Sequence, residues 1–252
     1  MNEVLNKVIV CDLDGTLAES KMPLTIEMAS VISKVLEKHR FVVISGASYN
    51  QFQNQFLKYL PKDACFKNLA LFPVNGSQYY CYDQQLSEWQ KVYSEDLTDE
   101  EKKVIFEAFK VAITNSGVDV YDSYGVVDII DDRGGQITFS GRGQDAPIDV
   151  KNSWDPDQIK RKKIVNQLTE YIPEFEIRIG GATSIDVTRK GINKAYAIRK
   201  IEQNLNITKD SIVFIGDALY MGGNDATVIE EGIKTIQVSG PEETKKFLLS
   251  YI

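Results

Sequence analysis

The chain has 252 residues, of which 43% are hydrophobic and 26% are charged, and its formal net charge is -7 at pH 7. This length allows one large or two small domains with a buried core, and the composition is ordinary for a soluble globular protein. The acidic balance disfavours nucleic acid as a partner. No apolar run is long enough to span a bilayer, and the first residues lack the pattern of a signal peptide, so we expect a cytoplasmic protein with no membrane partner.

The cysteine and histidine content excludes several kinds of site. The three cysteines, Cys11, Cys65 and Cys81, show no CxxC spacing, so we expect reduced thiols and neither a disulfide framework nor a zinc site. His39 is the only histidine, which excludes histidine-based catalytic triads and histidine-rich metal sites.

The two ends of the chain alternate between buried strands and amphipathic helices. Strands are predicted at residues 8–12, 41–44, 69–76, 211–215 and 234–238, and helices at 23–37, 50–59, 194–205 and from 241 onward. This alternation is typical of an α/β fold with a parallel sheet.

The middle of the chain departs from that alternation. A hairpin pattern at residues 78–90 precedes a charged helix over 98–113, which opens with a capping box of Thr98 and Glu101. Short strands near residues 126–130, 136–139 and 175–179 and a basic helix over 156–171 follow. We therefore predict an α+β domain at residues 85–186, inserted into an α/β domain made of residues 1–84 and 187–252.

An Asp-x-Asp-Gly-Thr string begins at Asp12, where the first predicted strand ends, and includes Asp14. In an α/β sheet, chemistry is found just beyond the carboxyl ends of the strands. Two carboxylates so close together repel each other unless a cation, such as a hard divalent metal ion, neutralises them. One of them can attack phosphorus while the other transfers protons. A lone Asp-Gly would indicate only a turn, but the strand and the full string favour a phosphoryl-transfer site.

Further polar residues follow other predicted strands. Ser45 and Gly46 end the second strand, where a hydroxyl and backbone amides can bind a phosphate oxygen, although Ser45 is equally suited to cap the next helix. Lys194 opens a helix and can hold a phosphate as a point cation, or be an ordinary solvated lysine. Asp217 and Asp225 lie in a loop after an apolar strand that either binds metal or only caps a helix.

Octahedral Mg²⁺ fits this set of oxygen ligands. The predicted ligands are the carboxylates of Asp12 and Asp217, a backbone carbonyl near Asp14, and Asp225. Asp12 is the predicted nucleophile and Asp14 the predicted acid and base, with Ser45 and Lys194 completing the catalytic set.

These motifs, in this order, resemble those of the haloacid dehalogenase (HAD) superfamily of aspartate-nucleophile phosphotransferases. The resemblance extends over nearly the whole chain to the eukaryotic-type phosphomannomutases within it. It rests on the segments at residues 71–76, 180–187, 193–194, 216–225 and 241–244. The resemblance implies a HAD-like, Rossmannoid parallel-sheet core with an inserted, mobile α+β cap of type IIB. It also implies Mg²⁺ as cofactor, a sugar phosphate as substrate and a homodimer formed through the cap.

The same resemblance implies a set of substrate-binding residues in the cap. Arg133, Arg142, Ser184 and Asp186 match the cap positions that hold the distal phosphate and the sugar hydroxyls in that family. Bidentate arginine is well suited to a second phosphate.

The chain also departs from the mutase pattern. Only Lys21 stands where the family places an arginine after the first motif, no arginine occurs at residues 147–150, and Ser45 replaces a glycine. A mutase must retain a bisphosphate intermediate and a phosphatase need not, so weaker cationic contacts favour a phosphatase. We therefore predict a Mg²⁺-dependent hexose-phosphate phosphatase that forms an aspartyl-phosphate. The alternatives are a phosphomannomutase that interconverts hexose 1- and 6-phosphates and a non-catalytic phosphate-binding module.

Overall fold

A computed structural model of the chain describes residues 7–120, 129–143 and 146–252. Its strands, in chain order, are β1 (Val8–Asp12), β2 (Arg40–Ile44), β3 (Leu69–Phe72), β4 (Gln78–Asp83), β5 (Glu88–Ser94), β6 (Ile130–Asp132), β7 (Gln136–Ser140), β8 (Phe175–Gly180), β9 (Ser184–Arg189), β10 (Ile212–Gly216) and β11 (Lys234–Gln237). Its α-helices are α1 (Ile26–Lys38), α2 (Tyr49–Gln55), α3 (Asp99–Ser116), α4 (Ile148–Trp154), α5 (Ile159–Tyr171), α6 (Lys194–Leu205), α7 (Ala226–Ile229) and α8 (Pro241–Leu249).

The chain divides into two compact units. The first unit consists of residues 1–94 and 192–252, and the second of residues 95–191. We call the first unit the core and the second the cap. The predicted boundaries followed residues 84 and 186; the structure keeps β5 in the core because β5 pairs with β4 along its whole length.

The core contains a seven-stranded sheet in the order β11-β10-β1-β2-β3-β4-β5. Its first five strands are parallel, whereas β4 and β5 are antiparallel additions at one edge. Successive residues of β1 are buried on opposite faces, with Ile9 and Cys11 in one apolar cluster and Val8 and Val10 in another. A strand buried on both faces needs a continuous apolar run, which β1 has. The predicted α/β fold class is confirmed.

The register of the parallel strands brings their carboxyl ends to one edge of the core sheet. Asp12 pairs with Ile44, and Cys11 pairs with Ile215. Ser45 follows β2 immediately and Asp217 follows β10 immediately, so they emerge beside Asp12. The sequence predicted the catalytic and metal-binding residues at this edge.

The cap contains a four-stranded antiparallel sheet in the order β6-β7-β9-β8. One face of this sheet packs on α3 and α5 through an apolar cluster that includes Phe109, Ile137 and Ile164. Because side chains alternate along a strand, the opposite face carries polar residues. The cap is therefore a sheet with one apolar and one polar face, as the predicted α+β domain requires.

Several predicted elements differ in detail. The hydrophobic spacing predicted one helix over 156–171, but α5 begins at Ile159 and a separate short helix, α4, precedes it. Residues 126–128 of a predicted strand lie outside the described residues, and β6 begins at Ile130. In the described parts of the chain, no helix is both long and apolar enough to cross a bilayer.

The start of α3 gives a testable electrostatic contribution. Glu101 completes the capping box with Thr98 and pairs with Arg189 at 2.6 Å. Arg189 and the Thr98 amide lower the pKa of Glu101 to about 2 from its usual 4.5. A carboxyl with a lowered pKa stabilises the folded state above its usual pKa, and that contribution disappears as the pH falls toward 2.

We expect Glu101→Gln to lower the free energy of unfolding at pH 7 by about 1 kcal/mol, the upper range for a partly exposed ion pair. Urea unfolding at pH 7 and near pH 2.5 measures it, with Glu100→Gln as the control. A deficit that stays the same at both pH values would contradict the assignment to charge.

Candidate active site

A buried ion cluster lies at the carboxyl edge of the core sheet. The Nζ of Lys194 is 2.7 Å from Oδ1 of Asp12 and also contacts Oδ1 of Asp225. All three side chains are at least 96% buried, and Lys194 occupies the first turn of α6. Lysine side chains in proteins are almost never fully buried unless they are paired with an opposite charge. Lys194 is thus not a solvated surface lysine; its task is to neutralise two carboxylates.

Asp217 is held beside the Asp-x-Asp-Gly-Thr string by a reciprocal pair of hydrogen bonds. The Thr16 hydroxyl donates to Oδ1 of Asp217 at 3.0 Å, and the Asp217 amide donates to the Thr16 hydroxyl oxygen at 3.0 Å. Gly15 lies against the same carboxylate at a φ of +83°, and a Cβ there would be 2.7 Å from Oδ2 of Asp217. Both the glycine and the threonine of the motif are therefore required by the approach of Asp217.

Asp225 closes the loop that begins at Asp217. Its Oδ2 accepts a hydrogen bond from the Ala218 amide at 3.0 Å, while its Oδ1 contacts Lys194. The backbone amide of Asp225 donates in turn to the Ala218 carbonyl at 3.2 Å. Asp225 thereby fixes both the loop and the lysine.

The carboxylates of Asp12, Asp217 and Asp225 fit a divalent cation. One oxygen from each of the three lies within 4.8 Å of the others. Three carboxylates against one ammonium leave an excess of negative charge, and carboxylate oxygens are the preferred ligands of hard cations. The Asp14 carboxylate is not one of these three. The sequence predicted that a backbone carbonyl near Asp14, and not its side chain, binds the metal.

The charges of this cluster act strongly on one another. Burial raises the pKa of Asp12, Lys194 lowers it and Asp225 raises it. Burial lowers the pKa of Lys194, but the two carboxylates outweigh burial, so the net shift is upward and Lys194 stays protonated. A cation bound by these carboxylates would favour their charged form further.

Asp14 has a different environment. Its Oδ1 accepts hydrogen bonds from Nε2 of Gln55 at 2.9 Å and from the backbone amide of Lys21 at 2.6 Å. Lys21 has a φ of +60°. The structure thus shows Lys21 at the site through its backbone, and the predicted contact of its side chain with substrate stays a prediction.

Ser45 does not cap the following helix. Ser48 is the N-cap of α2, and its hydroxyl accepts from the Gln51 amide. Ser45 is buried, and its hydroxyl oxygen accepts from the Ala47 amide at 3.0 Å, which leaves its proton to donate elsewhere. With Gly46 next in the chain, this arrangement is compatible with the predicted phosphate contact.

The predicted cap residues lie on or beside the polar face of the cap sheet. Asp186 accepts a hydrogen bond from the Thr138 hydroxyl at 2.8 Å, and Ser184 lies two residues earlier on the same face. Arg133 precedes β7 and pairs with Asp131 at 2.8 Å, whereas Arg142 follows β7. The two arginines are therefore at opposite ends of one strand.

Sequence reasoning missed several residues of these groups. Thr16 was read only as part of a motif string, and the amides of Gln51 and Gln55 were not considered although their i, i+4 spacing puts them on one helix face. Arg178 lies directly across from Asp186 in the β8–β9 pairing. The alternation of β8 was the signal that could have placed Arg178 on the polar face.

Comparison with known proteins shows the family of the chain. Residues 9–231 match the family model described as haloacid dehalogenase-like hydrolase. The chain belongs to this family. It is an enzyme of the HAD phosphatase or phosphomutase type, and the predicted resemblance is confirmed.

Curated relatives match over most of their length. The phosphomannomutase of Schizosaccharomyces pombe is 26% identical over 244 residues, which cover 94% of this chain and 91% of the relative. Phosphomannomutase 1 of Dictyostelium discoideum is 26% identical over 255 residues, covering 98% and 97%.

Solved structures share the fold. The N-terminally truncated, IMP-bound IMP-nucleotidase of Plasmodium falciparum has a TM-score of 0.69 at 19% identity, covering 99% of this chain and 69% of that one. A haloacid dehalogenase-like hydrolase from Bacteroides thetaiotaomicron has a TM-score of 0.63 at 15% identity, covering 98% and 99%.

The buried lysine supports a direct test. Lys194→Met removes the cation between two buried carboxylates, so we expect the free energy of unfolding to fall by about 3 kcal/mol. Urea unfolding in buffer with a chelator measures it, and Lys34→Met on the exposed face of α1 is the control. Equal stability of the two variants would show that Lys194 does not balance the buried charges.

Proposed function

We propose that the protein is a Mg²⁺-dependent phosphatase of hexose phosphates that works through an aspartyl-phosphate on Asp12. The observation that carries this proposal is the placement of Asp12 against Lys194 and within reach of Asp217 and Asp225, with Asp14 held separately. The carboxylates proposed to bind the metal and the carboxyl proposed to transfer protons thus belong to different side chains.

The proposed reaction has two steps. Asp12 attacks phosphorus in line, the bond to the sugar oxygen breaks, and that oxygen takes a proton from Asp14. Water then attacks the aspartyl-phosphate and gives a proton to Asp14, while the Asp12 carboxylate leaves and inorganic phosphate is released. Lys194 and the Ser45 hydroxyl are proposed to bind the phosphate oxygens.

Asp12, Asp217 and Asp225, with the Asp14 backbone carbonyl, are the residues that would hold Mg²⁺. The bound ion would supply positive charge that lowers the repulsion between the phosphate and the attacking carboxylate. Lys194 already neutralises part of the negative charge of this cluster.

A phosphomannomutase is the second candidate. It is favoured by the names of the curated relatives that match nearly the whole chain. The same chemistry then transfers the phosphoryl group to a second sugar phosphate in place of water. Ser45 and the absence of an arginine at residues 147–150 favour the phosphatase.

In either case we propose that Arg133, Arg142, Ser184 and Asp186 recognise the part of the substrate distant from the reacting phosphate. Substitution of these residues is expected to affect sugar phosphates more than simple phosphate esters. We also expect a homodimer formed through the cap, as the family resemblance implies. The net charge and the sequence pattern lead us to expect no nucleic-acid or membrane partner.

Metal binding is testable without turnover. We expect MgCl₂ to raise the melting temperature of the wild-type protein, because a ligand at 100 times its Kd stabilises the fold by about 2.7 kcal/mol. We expect Asp217→Asn to lose this rise, since it removes one carboxylate of the cluster. Thermal unfolding with and without MgCl₂ measures it, with the exposed Asp210→Asn as control. An undiminished rise in Asp217→Asn would place Mg²⁺ elsewhere.

The function itself is tested with Mg²⁺ and mannose 1-phosphate, with and without a hexose bisphosphate, while free phosphate and mannose 6-phosphate are measured together. We expect free phosphate without isomerisation, and no product from Asp12→Asn. Mannose 6-phosphate formed only with the bisphosphate would show a mutase. Neither product, or full activity of Asp12→Asn, would contradict the proposal.

A further inference from the structure

The two oxygens of Asp14 have unequal surroundings. Oδ1 accepts two short hydrogen bonds, from Nε2 of Gln55 at 2.9 Å and from the Lys21 amide at 2.6 Å. Among the residues that the structure describes, Oδ2 has only a long contact of 3.4 Å with Nε2 of Gln51. A carboxyl oxygen that carries a proton has one lone pair left in the carboxyl plane and is a weak acceptor, so it is poorly suited to two N–H donors. Two donors at Oδ1 therefore favour its charged, accepting form, and Oδ2 is the better oxygen for the proton.

Gln51 fixes which end of the Gln55 amide faces Asp14. Nε2 of Gln51 donates to Oε1 of Gln55 at 2.8 Å. Because Oε1 of Gln55 is occupied as an acceptor, its Nε2 must point to Asp14 and act as a donor. The two glutamines lie four residues apart in α2, on one face of the helix.

Gln55 is itself held rigidly. Its residue is 5% exposed, and its backbone carbonyl accepts from the Leu24 amide at 2.9 Å, in the segment that follows the first motif. A buried glutamine must satisfy both ends of its amide, and here Gln51 and Asp14 do so.

We propose that Gln55 is a positioning residue that divides the work of the Asp14 carboxyl. It holds Oδ1 as a fixed acceptor, so that Oδ2 alone gives the proton to the leaving oxygen and later takes one from water. Gln51 acts behind it by setting the orientation of the Gln55 amide. This inference rests on the proposed function of Asp14 as acid and base.

The competing explanation is that Gln55 only fills a buried position. The two explanations differ in how the loss depends on the leaving group. An alkoxide leaving group needs a proton as its bond to phosphorus breaks, whereas 2,4-dinitrophenolate leaves unprotonated. Since kcat/KM reports the steps up to phosphoryl transfer to the enzyme, the later hydrolysis does not obscure the difference.

The experiment compares kcat/KM of the intact protein for mannose 1-phosphate, glycerol 2-phosphate and 2,4-dinitrophenyl phosphate in the presence of Mg²⁺. We expect Gln55→Leu to lose at least about 10-fold on both alkyl esters and less than about 2-fold on the aryl ester, within the range for a misplaced general acid. Gln51→Leu should show the same pattern more weakly and serves if Gln55→Leu folds poorly. Gln53→Leu, exposed on the same helix, is the control and should match the wild type.

The outcomes separate this inference from the proposed function. Equal losses on alkyl and aryl esters, or no loss on either, would overturn the positioning role while leaving the phosphatase intact. A wild-type enzyme that hydrolyses glycerol 2-phosphate but not mannose 1-phosphate would overturn the hexose substrate, and the variants would still be compared on glycerol 2-phosphate. A wild-type enzyme active on the aryl ester alone would overturn both, because it would show no working acid.

Discussion

The Lys194 ammonium between Asp12 and Asp225 is the interaction on which the site depends. Bringing carboxylates together inside a protein is costly unless a cation compensates them, and the first turn of α6 supplies one. The cation must be buried to do so, which ties α6, β1 and the loop after β10 to one point. Asp217 then completes the group from the side, anchored by Thr16. The register of β1, the start of α6 and the closure of the loop after β10 together bring Lys194 into contact with the two carboxylates.

The core could be predicted because its signals are local. The β-branched run of β1 and the helical spacing of α6 each allow few alternatives, and parallel strands put their carboxyl ends at one edge. Knowing that Asp12 ends one strand and Asp217 follows another was therefore enough to expect them together. The cap was harder, because short strands joined by turns carry weak patterns. The short α4 and the inclusion of β5 in the core sheet depend on tertiary pairing that the sequence does not show directly.

The site was predicted at the level of charged residues and missed at the level of neutral ones. Asp12 and Asp14 stand out because they belong to an Asp-x-Asp-Gly-Thr string at the end of a strand, and Lys194 because it matches a motif of the resembled family, but a glutamine in a helix looks like any polar residue. Only the short distance between Nε2 of Gln55 and Oδ1 of Asp14 indicates a role for Gln55. Arg178 was missed for a similar reason, since only the pairing of β8 with β9 puts it across from Asp186.

The order of the chain has a consequence for how the enzyme is made. β1 lies between β2 and β10, and Thr16 meets a carboxylate 201 residues further along the chain. When only the first half of the 252 residues has been synthesised, Asp12 and Asp14 are already present, but Lys194 and β10, which pairs with β1, are not. The nascent chain therefore carries an unpaired strand edge and an incomplete site until the last quarter emerges. A fragment that ends before α6 therefore lacks both the cation that pairs with Asp12 and the loop that carries Asp217 and Asp225.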